Sequence, residues 1–211
     1  ANMSKRDPYS PQTSSYDYDA PLDEAGNPAP KYYKFREIIQ KHLPRGEKLP
    51  PVPASNKTIA VPNIKLTGRY PLFWNLPKPV ISDKPLCFED LNQGYGFVLY
   101  RTKLKGVKSG LLKIKELRDF ATIYINSDRV AVLDRHLRQD SVQLENVPAD
   151  ATLDILVENN GRINYGPYLT DNRQGITEKV TLGGTELTGW KMYKLPFNSE
   201  PKIGRATGRE R

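Results

Sequence analysis

Residues 121–158 read ATIYINSDRVAVLDRHLRQDSVQLENVPADATLDILVE. Residues 121–126 alternate apolar and polar side chains, the period of a strand with one buried face. Residues 130–133 (VAVL) are a short apolar run that also reads as a strand, and Ser127, Asp128 and Arg129 between them read as a hairpin turn. Residues 141–144 and 151–158 supply two further strands. Working outward, residues 95–105 (YGFVLYRTKLK) and 110–114 form strands on one side. On the other side, residues 179–182 and 187–195 flank Gly183, Gly184 and Thr185, a second hairpin. Strand signals at Ile64, Leu66 and residues 71–74 begin the series. Short strands about ten residues apart, joined by polar turns, predict an antiparallel β-sandwich or jelly roll.

The region before this series has another character. Fourteen of the 18 prolines fall within residues 1–85. Residues 1–30 carry net charge −3 and show no strand or helix period, whereas residues 31–60 carry +5. Residues 30–43 (PKYYKFREIIQKHL) read as a helix, with Tyr32, Phe35, Ile39 and Leu43 at three-to-four spacing and Ile38 widening the stripe. Pro28 and Pro30 suit its start, and Pro44 ends it. The stripe has no partner helix elsewhere in the sequence, so it is expected to pack on a domain outside this chain. Residues 44–62 read as a proline-rich linker. Residues 198–211 read as a tail or connection to a further domain.

Composition bounds the function. The 211 residues hold 32 Lys+Arg and 24 Asp+Glu, a formal charge of +8, with 37% hydrophobic residues. That is too apolar for a wholly disordered chain and lacks the run of about 18 apolar residues that a membrane helix needs. No membrane association is expected, and no signal peptide opens the chain. Lys and Arg are interleaved with acids, which argues against nucleic-acid binding. One cysteine, Cys87, excludes an internal disulfide framework and a cysteine-based zinc site. With only His42 and His136 as histidines, no metal is expected, and no cofactor.

Two stretches hold candidate binding residues. In SSYDYDAP (14–21), Tyr16 and Tyr18 offer faces for sugar rings and hydroxyls for hydrogen bonds, while Asp17 and Asp19 can orient hydroxyls or fix the loop. A plain loop of packed tyrosines and Asx turns remains the alternative. In VENNGRINYGP (157–167), Glu158, Asn159, Gly161, Arg162, Asn164, Tyr165 and Gly166 mark a strand end entering a tight corner. Asn and Gly adopt positive φ there at least cost. Glu158 and Arg162 are expected to pair across it. A structural corner joining two sheets is the favoured reading, and a sugar or partner surface the other.

TSSYDYDAPLDEAGNPAPKYYKFREII (13–39) resembles the segment after the last barrel strand of glycoside hydrolase family 35 β-galactosidases. GYGFVLYRTKL (94–104), LVENNGRINYGPYLTDNRQGI (156–176) and VTLGGTELTGWKMYKLPF (180–197) resemble the first β domain that follows that barrel. The resemblance implies that residues 1–43 are the terminal loop and final helix of a (β/α)₈ barrel. It implies that residues 44–62 are a linker and residues 63–197 a galactose-binding-like jelly roll, with a further β domain beyond residue 211. It implies a retaining enzyme that removes terminal β-D-galactose by two glutamates. None of the 11 glutamates here matches their motifs, so no catalytic residue is expected in this chain. Tyr18 is then expected to bond a galactose hydroxyl and Tyr16 to wall the pocket. Trp74 and Trp190 are expected in the core. The implied partners are a β-galactoside and, within the intact enzyme, the barrel. The implied location is secreted or periplasmic, or lysosomal in a eukaryote. Two other classes stay open: a stand-alone carbohydrate-binding module, and a basic interaction domain whose binding to polyanions would be salt-sensitive.

Overall fold

Alternation of apolar and polar residues builds two antiparallel sheets that face each other. The computed structural model describes residues 2–3, 18–65, 71–106 and 109–199. In chain order the strands are β1 Asn2–Met3, β2 Val80–Ser82, β3 Phe97–Leu104, β4 Gly110–Ile114, β5 Leu117–Arg118, β6 Phe120–Ile125 and β7 Asp128–Asp134. There follow β8 Ser141–Leu144, β9 Ala151–Glu158, β10 Ile163–Tyr165, β11 Gly175–Ile176, β12 Val180–Leu182, β13 Thr185–Glu186 and β14 Trp190–Leu195. Helix α1 spans Pro30–His42. By contacts the chain divides into two units, Thr13–Gly68 and the rest.

The larger sheet has the order β2-β14-β3-β9-β6-β7 and the smaller β13-β12-β4-β8, both antiparallel throughout. Their facing sides interdigitate. Val98, Tyr100, Leu104, Ile123, Leu153, Ile155, Trp190 and Met192 from the larger sheet meet Leu112, Ile114, Leu144, Val180 and Leu182 from the smaller. Most of these are wholly buried, the packing expected of two sheets about 10 Å apart. The Tyr100 hydroxyl crosses this core, donating to the Leu86 carbonyl at 2.9 Å and accepting from the Ile176 N–H at 3.3 Å. Gly175 (φ +91°) passes so close that a Cβ there would lie 2.4 Å from the Tyr100 oxygen.

Both hairpins form, each with turns one step from the expected ones. β6 and β7 are joined by Asn126 and Ser127, both at positive φ, as the two-residue turn matching strand twist requires. Asp128 and Arg129 are already in the ladder. β12 returns through Gly183-Gly184 into Thr185–Glu186 alone. At Gly189 (φ +69°) the chain leaves the smaller sheet, and β14 inserts between β2 and β3 of the larger one. Residues 187–195 are therefore not the second hairpin's return strand.

Among the described residues no strand begins near residue 71. Leu72–Trp74 is a single 3₁₀ turn, closed by the Asn75 N–H donating to the Leu72 carbonyl at 3.0 Å. Leu66 lies outside the described residues. Leu72, Phe73 and Leu76 lie over the outward side of the larger sheet, against Leu99, Tyr193 and Leu195. Trp74 itself is 85% exposed, contrary to the core position expected for it, whereas Trp190 is buried and donates its indole N–H to the Leu187 carbonyl. A 3₁₀ turn has three residues per turn, so with its neighbours against the sheet the third side chain is left facing water.

Within Thr13–Gly68, α1 begins at Pro30, whose missing N–H costs nothing at the first helical position. None of its residues is buried. The following segment is tied back to it: the Leu49 N–H donates to Gln40 Oε1 at 3.2 Å, and Arg36 bonds the Pro50 carbonyl. Asn56, in the triplet Asn56-Lys57-Thr58, uses its amide on the Ala25 carbonyl and its N–H on Asn27 Oδ1.

Candidate functional site

The tyrosine–aspartate loop lies in Thr13–Gly68. Tyr16 and Asp17 fall outside the described residues. Tyr18 is 83% exposed. Asp19, at φ +56°, pairs with Lys31 of α1 at 2.7 Å. Just downstream, Asp23 accepts both the N–H and the side-chain amide of Asn27, at 2.7 and 3.2 Å. The Asn27 N–H, with the other amides of this turn, holds the Asp23 carboxyl below its ordinary range. The segment 18–29 is thus a series of aspartate-pinned turns leading to the helix.

The corner after β9 belongs to the sandwich. Asn159 donates its amide to the Gly94 carbonyl at 3.1 Å and accepts the Gly161 N–H at 2.9 Å. Arg162 donates to the carbonyls of Asn172 (2.9 Å) and Gly94 (3.1 Å) and pairs with Glu89. The expected pairing of Glu158 with Arg162 is not made. Glu158 ends a central strand, held in register between Phe97 and Phe120. Gly161, at φ +112°, turns the chain so that Arg162 reaches Glu89 instead. Glu89 also accepts the Gln174 N–H at 2.9 Å. Burial pushes the Glu89 carboxyl up, but the Gln174 N–H and Arg162 outweigh it, and its pKa lies below the ordinary value.

Asn172 closes the other side by exchanging two bonds with the Ile163 backbone, at 2.9 and 2.7 Å. Beyond it, Asp171 takes Arg173 at 2.9 Å and Arg118 at 3.1 Å, and these cations hold its carboxyl well below the usual range. Asn164 is exposed, as are Tyr165 and Leu169 at the tip; Gly166 takes φ +101°. β1 pairs in parallel with β10 at this tip.

Three buried charges were not singled out from the sequence. Asp119 accepts Arg135 at 2.9 Å and the Asn160 N–H at 3.1 Å. Burial raises its pKa against the opposing pull of Arg135. Asp154 accepts Arg101 at 2.7 and 3.0 Å and is likewise raised by burial. Arg118 spans Glu116 and Asp171. The signal was an acid inside an apolar run: Asp154 between Leu153 and Ile155 demands a cation.

Among the described residues no group of three or more His, Cys, Asp or Glu can hold a metal. The Cys87 thiol bonds Asp90, and burial pushes it up to about 11, far from nucleophilic. No helix among the described residues is long and apolar enough to cross a membrane.

Comparison with known proteins adds the family. Residues 85–196 match the model for "Beta-galactosidase, first all-beta domain", and residues 1–42 match that for "Glycosyl hydrolases family 35". The chain belongs to the β-galactosidases of glycosyl hydrolase family 35. It is 41% identical to a β-galactosidase of Xanthomonas manihotis over 96% of its length. It is 36% identical to β-galactosidase 1 of Dictyostelium discoideum over 88%, and 38% identical to the β-galactosidase of Mus musculus over 93%. It spans 34%, 31% and 31% of those proteins, about a third of each. The first match places the described sandwich as the first all-β domain, and the second covers α1.

Proposed function

We propose that this chain is the scaffold and one pocket edge of a retaining β-galactosidase, an enzyme that removes terminal non-reducing β-D-galactose. The observation carrying this reading is the order of the two matches: the hydrolase segment at 1–42, then the all-β domain at 85–196. In this reading residues 1–43 end the barrel, 44–62 link, 63–197 form the β domain and 198–211 lead onward. The barrel covers the helix face of Phe35, Ile38 and Ile39, each about half exposed here. The substrate is a β-galactoside, and the parent enzyme is secreted, periplasmic or lysosomal.

Both glutamates that retaining chemistry requires come from other parts of the enzyme. Tyr18 donates a hydrogen bond to a galactose hydroxyl, and Tyr16 walls the pocket. The Asp19–Lys31 pair and the Asp23–Asn27 turn hold the loop in place, so that Tyr18 is positioned before substrate arrives.

Two measurements test this. The 211-residue chain alone is expected to leave a chromogenic β-galactoside intact, and turnover that co-purifies with it would sink the assignment of the glutamates elsewhere. In the intact enzyme, Tyr18→Phe is expected to lower kcat/KM by a factor of about 3–10, the worth of one neutral hydrogen bond. Unchanged kinetics would remove Tyr18 from the site.

A further inference from the structure

The outward side of the larger sheet gathers positive charge at one end. On β3 the inward residues are Val98, Tyr100, Thr102 and Leu104, so Arg101 and Lys103 point outward, and Lys105 follows with the same parity. On the neighbouring strand, Lys191 stands opposite Arg101 in register. Side chains at such cross-strand and diagonal positions interact, and like charges there repel.

Two of the four cations are engaged. Arg101 is neutralised by Asp154, and its guanidinium lies 5.8 Å from the Phe73 ring and 5.6 Å from that of Tyr193. Lys103 donates to the Asp150 carbonyl at 3.3 Å. Lys105 and Lys191 are exposed and meet no carboxylate among the described residues. These four side chains bound a groove of about 460 Å³, whose other wall includes Thr185, Glu186 and Thr188. Among the described residues Glu186 is the groove's one lining carboxylate.

A groove of this volume falls within the range of small-ligand sites, about 300–1,000 Å³. Its charge suits one anionic group. A phosphate polymer instead needs a long basic track, which is absent from the residues lining the groove. Its other chemistry is the hydroxyls of Thr185 and Thr188. Threonine hydroxyls both donate to and accept from the hydroxyls of a sugar ring. We propose that the groove between the β3 end and residues 185–191 binds a sugar unit bearing one anionic substituent, a sulfate or a carboxylate, as a non-catalytic glycan contact. Lys105 and Lys191 hold the anion, the Arg101–Asp154 pair forms a fixed wall, and the threonines meet the hydroxyls.

The test is a titration of the 211-residue chain followed by amide NMR at about 20 mM NaCl, where screening is weak. The probes are galactose 6-sulfate, galacturonate, neutral galactose, inorganic sulfate and a short DNA duplex. Either anionic sugar is expected to shift amides of residues 101–105 and 185–191, and the stronger of the two identifies the anion. Galactose and inorganic sulfate are expected to bind at least about tenfold more weakly, because each supplies half the contacts. The double variant Lys105→Ser/Lys191→Ser is expected to lose about tenfold or more in affinity. Lys48→Ser/Lys57→Ser, with the same charge removed elsewhere, is expected to lose none. Should the double variant fail to fold by circular dichroism, Lys191→Gln alone carries the same expectation. Absence of shifts with both anionic sugars overturns the proposal. So do equal binding of galactose, equal binding of inorganic sulfate, unchanged affinity in the lysine variants, or tighter binding of the duplex through the same residues.

Discussion

The β-sandwich and residues 18–65 use similar apolar side chains to opposite ends. In the sandwich, Ile155, Leu153 and Tyr100 are wholly buried by strands of the same chain. In α1, Phe35, Ile38 and Ile39 form an equally clear stripe, and about half of each remains in water. What holds residues 18–65 together is polar: Asp19 on Lys31, Asn56 on Ala25, Gln40 on Leu49. A hydrophobic period therefore states that a face must be covered, not what covers it. The sandwich supplies its own cover; the helix has the composition of an element that borrows one.

The sharpest way to break the comparison is to open the sandwich core. Ile155 packs among strands on both sides of β9 and has no exposed atom. Ile155→Ala is expected to destabilise the sandwich by about 2–5 kcal/mol, read as a fall in the denaturant midpoint with m unchanged. A loss below about 1 kcal/mol would mean that the two sheets do not share this core.

A smaller effect should come from the corner. Glu89 binds Arg162 and the Gln174 N–H together, and its folded pKa lies below the ordinary 4.5. A depressed carboxylate contributes stability above its unfolded pKa and loses it as the pH falls through the folded value. The sandwich should therefore lose stability on acidification below about pH 4.5, with Asp171, depressed from 3.8, adding a further loss at lower pH. Glu89→Gln is expected to cost about 1–2 kcal/mol at neutral pH, modest because the side chain is 35% exposed, and to flatten the first part of the acid limb. An acid limb identical to the parent's would show that Glu89 is not the titrating group.

Legibility followed the same division. Strand positions were plain in the short β-rich runs between polar turns: residues 110–114, 141–144 and 151–158 form strands as read. Turns were displaced because positive φ is open to Asn and Ser as well as Gly, so Asn126-Ser127 was available where Ser127–Arg129 was expected. Leu187–Leu195 looked like one strand because nothing local marks a change of sheet except Gly189. Trp74 and Trp190 sit in similar apolar strings, yet only a ladder on both sides buries Trp190. The corner residues were visible as a group, but Arg162 chose Glu89, 73 positions away, over Glu158. Such pairings are set by topology, which a local reading does not contain. The reading of the Tyr16–Asp19 loop as a pocket edge rests on family resemblance and not on its composition.

The gentlest perturbation bears most directly on the opening contrast. Ile38 and Ile39 are 54% and 50% exposed, so Ile38→Ser/Ile39→Ser removes little buried apolar area from this chain. Its unfolding midpoint should move by no more than about 0.5 kcal/mol, the range of surface changes. In the intact enzyme the same pair lies, in the proposed reading, against the barrel. Burying the exposed half of two isoleucines is worth about 1–3 kcal/mol there, so the variant should lower the thermal stability of the whole enzyme while sparing the chain. Equal small effects in both would mean that the stripe faces water even in the intact protein, and the helix would then owe its apolar face to some other contact. A large effect in the isolated chain would mean that the stripe already contributes to folding within residues 18–65. The contrast between a self-covered and a borrowed core would fail at its weaker side.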